Sequence, residues 1–285
     1  MSLNSTHAIQ QGTITNLKKF FQWVKAVMVA EFAAKSDCMV LDLCCGNGSD
    51  MFLWATEGNQ QPKAKAFVGA DINLHCLLQA RRTVAPTGLT DPKFVEADCF
   101  SDDLTNKMVQ EGCNHTFNVA TCFFAVSLAF GAEEKVRHLL NNVSSKLQCG
   151  GVFMGTVMDA NLVVKRLRNS RGSMEFGNGT TYNISFKDKP DKCFPKSRIP
   201  VGYEFEVRIH NSAAKEFLVV WPYFVSLAEE YRLKLKWQRN VHELFSSYSR
   251  SYEDLYMKHK IREIPEAEWE LAYLHKAFVF EKIGN

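Results

Sequence analysis

Val40-Leu41-Asp42-Leu43-Cys44-Cys45-Gly46-Asn47-Gly48-Ser49-Asp50 is the stretch on which the fold turns. Met39 to Cys44 reads as a short apolar strand, with Asp42 its only charge. It runs into a turn with two glycines, and a helix is expected to restart over Asp50 to Ala55. In open parallel sheets ligands sit at the carboxyl ends of strands, where such a turn lets them approach the backbone. A dinucleotide fingerprint needs a third glycine, which would fall at position 51; that position is Met51, so the fingerprint is incomplete.

Strands and helices alternate outward from this turn. Leu17 to Ala34 reads as an amphipathic helix with Phe20, Phe21, Val24, Val27 and Met28 on one stripe. Ala66 to Asp71 is a second strand, followed by a helix through Arg82, and Lys93 to Asp98 is a third. Phe117 to Phe124 is a fourth, and Gly151 to Val157 a fifth. Between them Glu133 to Leu147 is a helix that Gly150-Gly151 is expected to cap. This alternation argues for a parallel sheet covered on both faces. Beyond residue 160 the pattern changes: residues 176 to 210 alternate aromatic and polar residues, as hairpins do. Trp221 to Tyr231 reads as helical, Leu233 to Trp237 and Ala277 to Lys282 as late strands, and Pro265 as the opening of a helix.

Composition narrows the function classes. The 285 residues are 46% hydrophobic and 23% charged, which excludes disorder, collagen and coiled coil. No run approaches the ~18 apolar residues of a spanning helix. The N-terminus lacks a signal-peptide layout, and the nine cysteines form no Cys-x-x-Cys pair. A soluble protein of a reducing compartment, without membrane or metal, is expected. Net charge is only +3, but basic residues cluster at Arg81-Arg82, at Lys165 to Arg168 with Arg171, and at Lys187 to Arg198. Each cluster can follow a phosphate backbone, but for any one of them a solvated helix face or charged loop is the better reading.

Three acids close successive strands: Asp42, Asp71 and Asp98. A carboxylate only accepts hydrogen bonds and each ribose hydroxyl donates one, so an acid here suits a nucleoside. Three together suit a cationic cofactor. Taken singly, each aspartate is more often a cap or turn former. In register, they favour S-adenosylmethionine over a nicotinamide dinucleotide.

From about residue 17 to 282 the chain resembles the mRNA cap guanine-N7 methyltransferases. The resemblance rests on Phe20-Phe-Gln-Trp-Val-Lys25, the Val40–Asp50 turn, Phe176-Gly-Asn178, Tyr203-Glu-Phe205, Glu216-Phe-Leu-Val-Val-Trp-Pro222 and Phe278-Val-Phe-Glu-Lys282. It implies a Rossmann-like class I α/β methyltransferase. The implied sheet is mostly parallel and seven-stranded, with helices on both faces and an added β-rich insertion. One domain over 1–285 is expected: a helical segment 1–35, a cofactor core 36–160, a cap-binding insertion 161–230 and the last strands 231–285. The resemblance implies cofactor contacts at Lys25, Asp42, Cys44, Gly46, Asp71, Asp98 and Phe123, with Lys25 on the methionine carboxylate. It implies cap contacts at Gln22, Asn47, Asp50, Arg82, Phe124, Ser127, Tyr203, Phe205, Glu216 and His275.

Several positions depart from the family. Phe21 and Gln22 stand where it has two asparagines, and Asn47 where it has a lysine. Phe123-Phe124-Ala-Val-Ser127-Leu128 replaces its Gln-Phe-x-x-His-Tyr run, His275 replaces a late tyrosine, and Arg82 is offset by one residue from its arginine. Retuned cap contacts are expected. The departures suggest a diverged member, such as the methyltransferase domain of a multifunctional capping enzyme of a large cytoplasmic DNA virus. Guanylyltransferase and triphosphatase domains would then share a longer chain. Cytoplasmic location is expected for a viral protein, nuclear for a cellular one. The implied reaction is direct transfer to guanine N7 of GpppN-capped RNA. N7 carries a free lone pair, so no general base is required and activity should be nearly flat from mild acid to mild base. The competing readings are a methyltransferase for another acceptor and a non-catalytic RNA-binding module on the same fold.

Overall fold

A computed structural model describes residues 15–33, 38–54, 62–170, 172–176, 182–186, 199–209, 212–261 and 263–284. Its first helix, α1 (Thr15–Phe32), is buried on nearly every face from Phe20 to Ala30, rather than along one stripe. Three later helices, α8 (Val241–Tyr248), α9 (Glu253–Lys258) and α10 (Glu266–Tyr273), pack around it. With no acid in its own first turn, α1 takes one from α10: Glu268 accepts the Leu17 N–H at 2.9 Å. That carboxylate satisfies one of the amides a helix start leaves open.

The central sheet holds β1 (Cys38–Leu43), β2 (Ala64–Asp71), β3 (Lys93–Glu96), β4 (Phe117–Phe123), β5 (Leu147–Met158), β10 (Leu233–Asn240) and β11 (His275–Lys282). Their order is β10-β11-β5-β4-β1-β2-β3. β1 to β5 are parallel, and β11 runs antiparallel between β5 and β10. The order reverses between β1 and β4, so a crevice opens at their carboxyl ends. Helices α2 (Leu74–Arg82), α3 (Leu104–Gln110), α4 (Val126–Ala129), α5 (Glu133–Lys146), α6 (Ala160–Asn169) and α7 (Trp221–Glu230) link or cover these strands. One apolar cluster gathers α1, Phe67 and Val119; the other gathers Leu41, Phe153, Phe224 and Phe278, so both faces of the sheet are covered. A second, antiparallel sheet in the order β6-β7-β8-β9 comprises β6 (Ser173–Phe176), β7 (Tyr182–Phe186), β8 (Glu204–Ile209) and β9 (Ser212–Phe217). The basic stretch 187–198, Arg171 and the dipeptide 177–178 lie outside the described residues.

Three local expectations are corrected. The helix expected from Asp50 is a 3₁₀ turn, Ser49–Trp54, with Met51 buried beneath Gly48. A Cβ on Gly48 would come within 2.6 Å of the Met51 methyl and 2.9 Å of Ala80 Cβ. Gly150 and Gly151 do not cap α5. That helix ends at Lys146, Leu147 is already extended, and the two glycines form a bulge where Phe117↔Leu147 steps to Val119↔Val152. A Cβ on Gly151 would come within 2.9 Å of the Gln148 carbonyl oxygen and 3.0 Å of that of Asn118. The third strand stops at Glu96, because Ala97 donates to the last carbonyl of β2 and the chain then turns at Asp98.

Candidate active site

Two non-glycine residues at neighbouring strand ends adopt the left-handed backbone: Cys44 (φ 57°) after β1 and Phe124 (φ 61°) after β4. Such conformations cost about 1–3 kcal/mol and concentrate at functional sites. Both flank the crevice. Gly46 (φ 55°) continues the turn, and a Cβ there would meet nothing within 4 Å, so the space above it is open.

The acids meet at this turn. Asp71 ends β2 and is buried; its two oxygens accept the Gly46 and Asn73 N–H groups, each at 2.8 Å. Asp98 lies two residues beyond the end of β3, with Oδ1 accepting Phe100 N–H at 2.9 Å. Asp71, Asp98, Cys44, Ile72 and Phe100 line a cavity of about 380 Å³ roofed by Phe217 of β9, a volume within the ~300–1,000 Å³ of small-molecule sites. Cys45 is buried and fills the hollow beside Gly69, as a small apolar side chain would. The Cys44 thiol is held well above its ordinary range, first by the neighbouring Cys122 thiol and then by burial, with Cys99 acting the other way.

Asp42 is enclosed on β1. Thr121 on β4 donates to its Oδ1 at 2.7 Å, and Oδ2 has no partner. Burial pushes this carboxyl up to about 8, helped by the charges of Asp50 and Asp71 and opposed by the Thr121 hydrogen bond and Lys25. The Asn47 carbonyl oxygen is likewise buried and unpartnered. Among the described residues three buried side-chain polar atoms have no partner, and two of them are in this turn. Buried polar atoms are ordinarily paired, so their clustering marks a place for a ligand.

Lys25 reaches the turn from α1. Its ammonium lies 2.7 and 2.8 Å from the two oxygens of Asp50, and 5.2 and 5.4 Å from the Phe123 and Phe124 ring centroids. Gln22 donates to Asp50 at 3.2 Å. Gln22, Lys25 and Asp50 are therefore one network, whereas the sequence had divided them between two ligands. Arg82 ends α2 with its side chain exposed; Ala80, two residues earlier, packs on Gly48.

The remaining residues form the crevice's other wall. Glu216 on β9 stands directly opposite Phe205 on β8, and both are buried. Opposed residues of an antiparallel pair share a face. Ser127 on α4 donates to Glu216. Glu216 therefore belongs to β9, four residues clear of the start of α7. Tyr203 lies two residues before Phe205, and its carbonyl accepts Leu218 N–H at 3.0 Å. Phe21, Phe124 and His275 form a ring cluster with centroids 4.7, 4.8 and 5.6 Å apart. Two of the departures, Phe21 and His275, are thus one packing change. His275 is buried, its pKa lowered to about 4 by loss of solvent; its Nδ1 donates to the Leu271 carbonyl at 3.0 Å, because a carbonyl only accepts.

Sequence reasoning missed Thr121, Ile72 and Phe100. An isolated threonine in an apolar strand carried a signal for the first, and for the second the sequence offered only its place directly after a strand-end acid; its 54% exposure is a product of the fold. Phe100 lies two residues past Asp98 and carries no such mark. No group of three or more His, Cys, Asp or Glu residues placed to hold a metal occurs among the described residues, and none of their helices is long and apolar enough to cross a membrane.

Comparison with known proteins agrees with this geometry. Among solved structures, an S-adenosylmethionine-dependent methyltransferase from Clostridium acetobutylicum is similar with a TM-score of 0.54 at 14% identity, covering 94% of this chain and 92% of that one. The CcbJ methyltransferase from Streptomyces caelestis is similar with a TM-score of 0.57 at 14% identity, covering 92% and 90%. These likenesses establish the Rossmann-like class I fold. Among curated sequences, mRNA cap guanine-N(7) methyltransferase 1 of Oryza sativa subsp. japonica is 33% identical over 97% of this chain and 77% of its own length. The mRNA cap guanine-N(7) methyltransferase of Schizosaccharomyces pombe is 30% identical over 96% and 78%. The model of the mRNA (guanine-N(7))-methyltransferase domain matches residues 3–283. With its crevice, strand-end acids and nearly full-length match, the chain belongs to the mRNA (guanine-N(7))-methyltransferase family.

Proposed function

We propose that this protein methylates N7 of the guanine in GpppN-capped RNA, with S-adenosylmethionine as methyl donor. One observation carries the choice of acceptor: the buried carboxylate of Glu216 stands opposite Phe205 and accepts from Ser127, just beyond the carboxyl end of β4. Guanine offers N1–H and the 2-amino group on one edge, and a carboxylate can accept both.

The residues at the glycine turn fit the donor. It is a cation with ribose hydroxyls, and the turn offers an unpartnered carboxylate oxygen on Asp42, open space over Gly46 and a buried acid, Asp71, at the next strand end. When bound, it supplies an electrophilic methyl on a positively charged sulfur. In this reading Asp71 takes the ribose hydroxyls, Asp98 the adenine end of the cavity, and Asp42 the positive charge. Lys25 directs its remaining proton to the donor's carboxylate, while Asp50 and the Phe123 ring hold the ammonium in place. Phe124, Tyr203 and Phe205 offer aromatic faces to the purine, Gln22, Asn47 and Arg82 line the approach of its ribose and phosphates, and His275, enclosed behind Phe124, supports that ring. No side chain has to remove a proton from N7, so the protein's work is orientation and field; orientation alone can supply ~7–11 kcal/mol of the barrier.

A GpppN end arises from triphosphatase and guanylyltransferase chemistry, which the proposal places upstream, on the same longer chain or on separate ones. The test is incubation of capped RNA with methyl-labelled donor, then nuclease digestion. Label in 7-methylguanosine is expected; label on a ribose oxygen, or none, overturns the reading. Calorimetry with the donor alone separates it from a docking module without catalysis, which has no use for the Asp42 pocket.

A further inference from the structure

A second cavity, of about 510 Å³, opens beside the Glu216 face. Tyr203 lies just before β8, two residues from Phe205, and its carbonyl accepts the N–H of Leu218, which lies two residues past Glu216. Tyr203 and Leu218 belong to the wall of this cavity, as does Trp221 at the start of α7. The cavity wall therefore begins two residues along from the Phe205–Glu216 pair.

Its opposite wall is α6, which begins directly after the carboxyl end of β5. Asn161, Lys165 and Arg168 recur on α6 at intervals of four and three, so they share one face, and that face lines the cavity. All three are exposed. The two faces of the helix differ in how their charge is held. Arg166, on the other side, pairs with Glu270 and lies over the Tyr273 ring. Lys165 and Arg168 have no carboxylate partner among the described residues. The one acid in the cavity wall, Asp159, is already engaged: it caps α6 and pairs with Lys276 at 2.9 Å. Lys276 in turn lies over the Trp221 ring at 4.8 Å. The result is a groove with unneutralised cations along one side and aromatic rings along the other. Single-stranded nucleic acid binds where cations track its backbone and aromatic faces meet its bases.

We infer that this groove holds the RNA strand beyond the triphosphate bridge, with Lys165 and Arg168 on its phosphodiesters and Tyr203 at the junction between cap and chain. The inference rests on the proposed function and adds a polynucleotide subsite to it. It explains why the α6 cations are left unpaired while their neighbour is neutralised.

The test compares the wild type with Lys165→Ala/Arg168→Ala, using a GpppG dinucleotide and a GpppG-capped ten-nucleotide RNA, by fluorescence anisotropy at several salt concentrations. The dinucleotide has the bridge but no phosphodiester chain. Two lost phosphate contacts lower the salt slope by ~1.4, so between 50 and 200 mM salt the wild type should lose about sevenfold more affinity for the capped oligonucleotide than the variant does. Dinucleotide affinity, donor affinity and melting temperature should be unchanged. Equal losses on both RNAs would place the charges on the bridge and overturn the inference; so would unchanged binding of the oligonucleotide, which would leave the groove to a polypeptide. A Lys165→Gln/Arg168→Gln variant, which keeps polar side chains without the charge, should behave as the alanine variant does. Failure of the wild type to bind either capped RNA would overturn the functional reading itself.

Discussion

Asp42→Asn is the substitution that most directly interrogates the site. Asparagine keeps the oxygen that accepts from Thr121 and places an NH₂ where Oδ2 is unpartnered. It also removes the only charge on β1. The Asp42 carboxyl is pushed from 3.8 to about 8, so the folded state binds a proton that the unfolded chain has released. The sign follows from linkage. Stability attributable to this group is full below the unfolded value, and declines as pH rises from there through about 8. The decline is ~1.4 kcal/mol per pH unit, so from pH 6 to 8 the wild type loses about 2–3 kcal/mol that the variant keeps. This is a large share of the 5–15 kcal/mol typical of a domain. Urea unfolding of both proteins at pH 6, 7 and 8, followed by circular dichroism without donor, reads the difference directly. Parallel pH dependence in the two proteins would mean that Asp42 is ionised throughout, and the account of its burial would fail. Addition of donor should reverse the trend, because a bound cation favours the carboxylate.

Activity at saturating donor should stay flat with pH, since no proton leaves N7. Catalytic efficiency toward the donor should instead climb from pH 6 to 8 as Asp42 ionises; a profile flat in both quantities would detach Asp42 from the donor. Asp71→Ala should abolish donor binding in calorimetry, whereas Glu216→Ala should leave it intact and raise KM for capped RNA. Unchanged cap methylation by Glu216→Ala would remove it from the purine site. Lys25→Met leaves Asp50 buried without its cation and should cost about 3–5 kcal/mol in urea unfolding, partly recovered by a further Asp50→Asn. The pKa of His275 is lowered from 6.5 to about 4, so its contribution is complete above 6.5 and fades as pH falls toward 4. Between pH 6.5 and 5 the wild type should lose ~2 kcal/mol more than His275→Phe, measured by unfolding at the two pH values.

The parallel sheet was legible because its signal is local. An apolar strand, a glycine turn and an acid at the strand end are each written within ten residues, as at Val40–Asp50 and Ala66–Asp71. The missing third glycine was legible too: Met51 fills the space beneath Gly48 that a dinucleotide turn would leave for helix packing. What escaped the sequence depends on residues far apart in the chain. Gly150-Gly151 has the appearance of a helix cap, and only pairing with β4 turns it into a bulge. Phe21 and His275 are separate oddities in sequence and one ring cluster in space. The α1 stripe gave no hint that helices two hundred residues later would enclose the whole helix and supply its capping carboxylate. The ionisation of Asp42 was likewise beyond reach of the sequence. Residue type fixes which charge a side chain can carry, but its cost depends on how much water the fold removes and which charges it brings near, and both are properties of the assembled core.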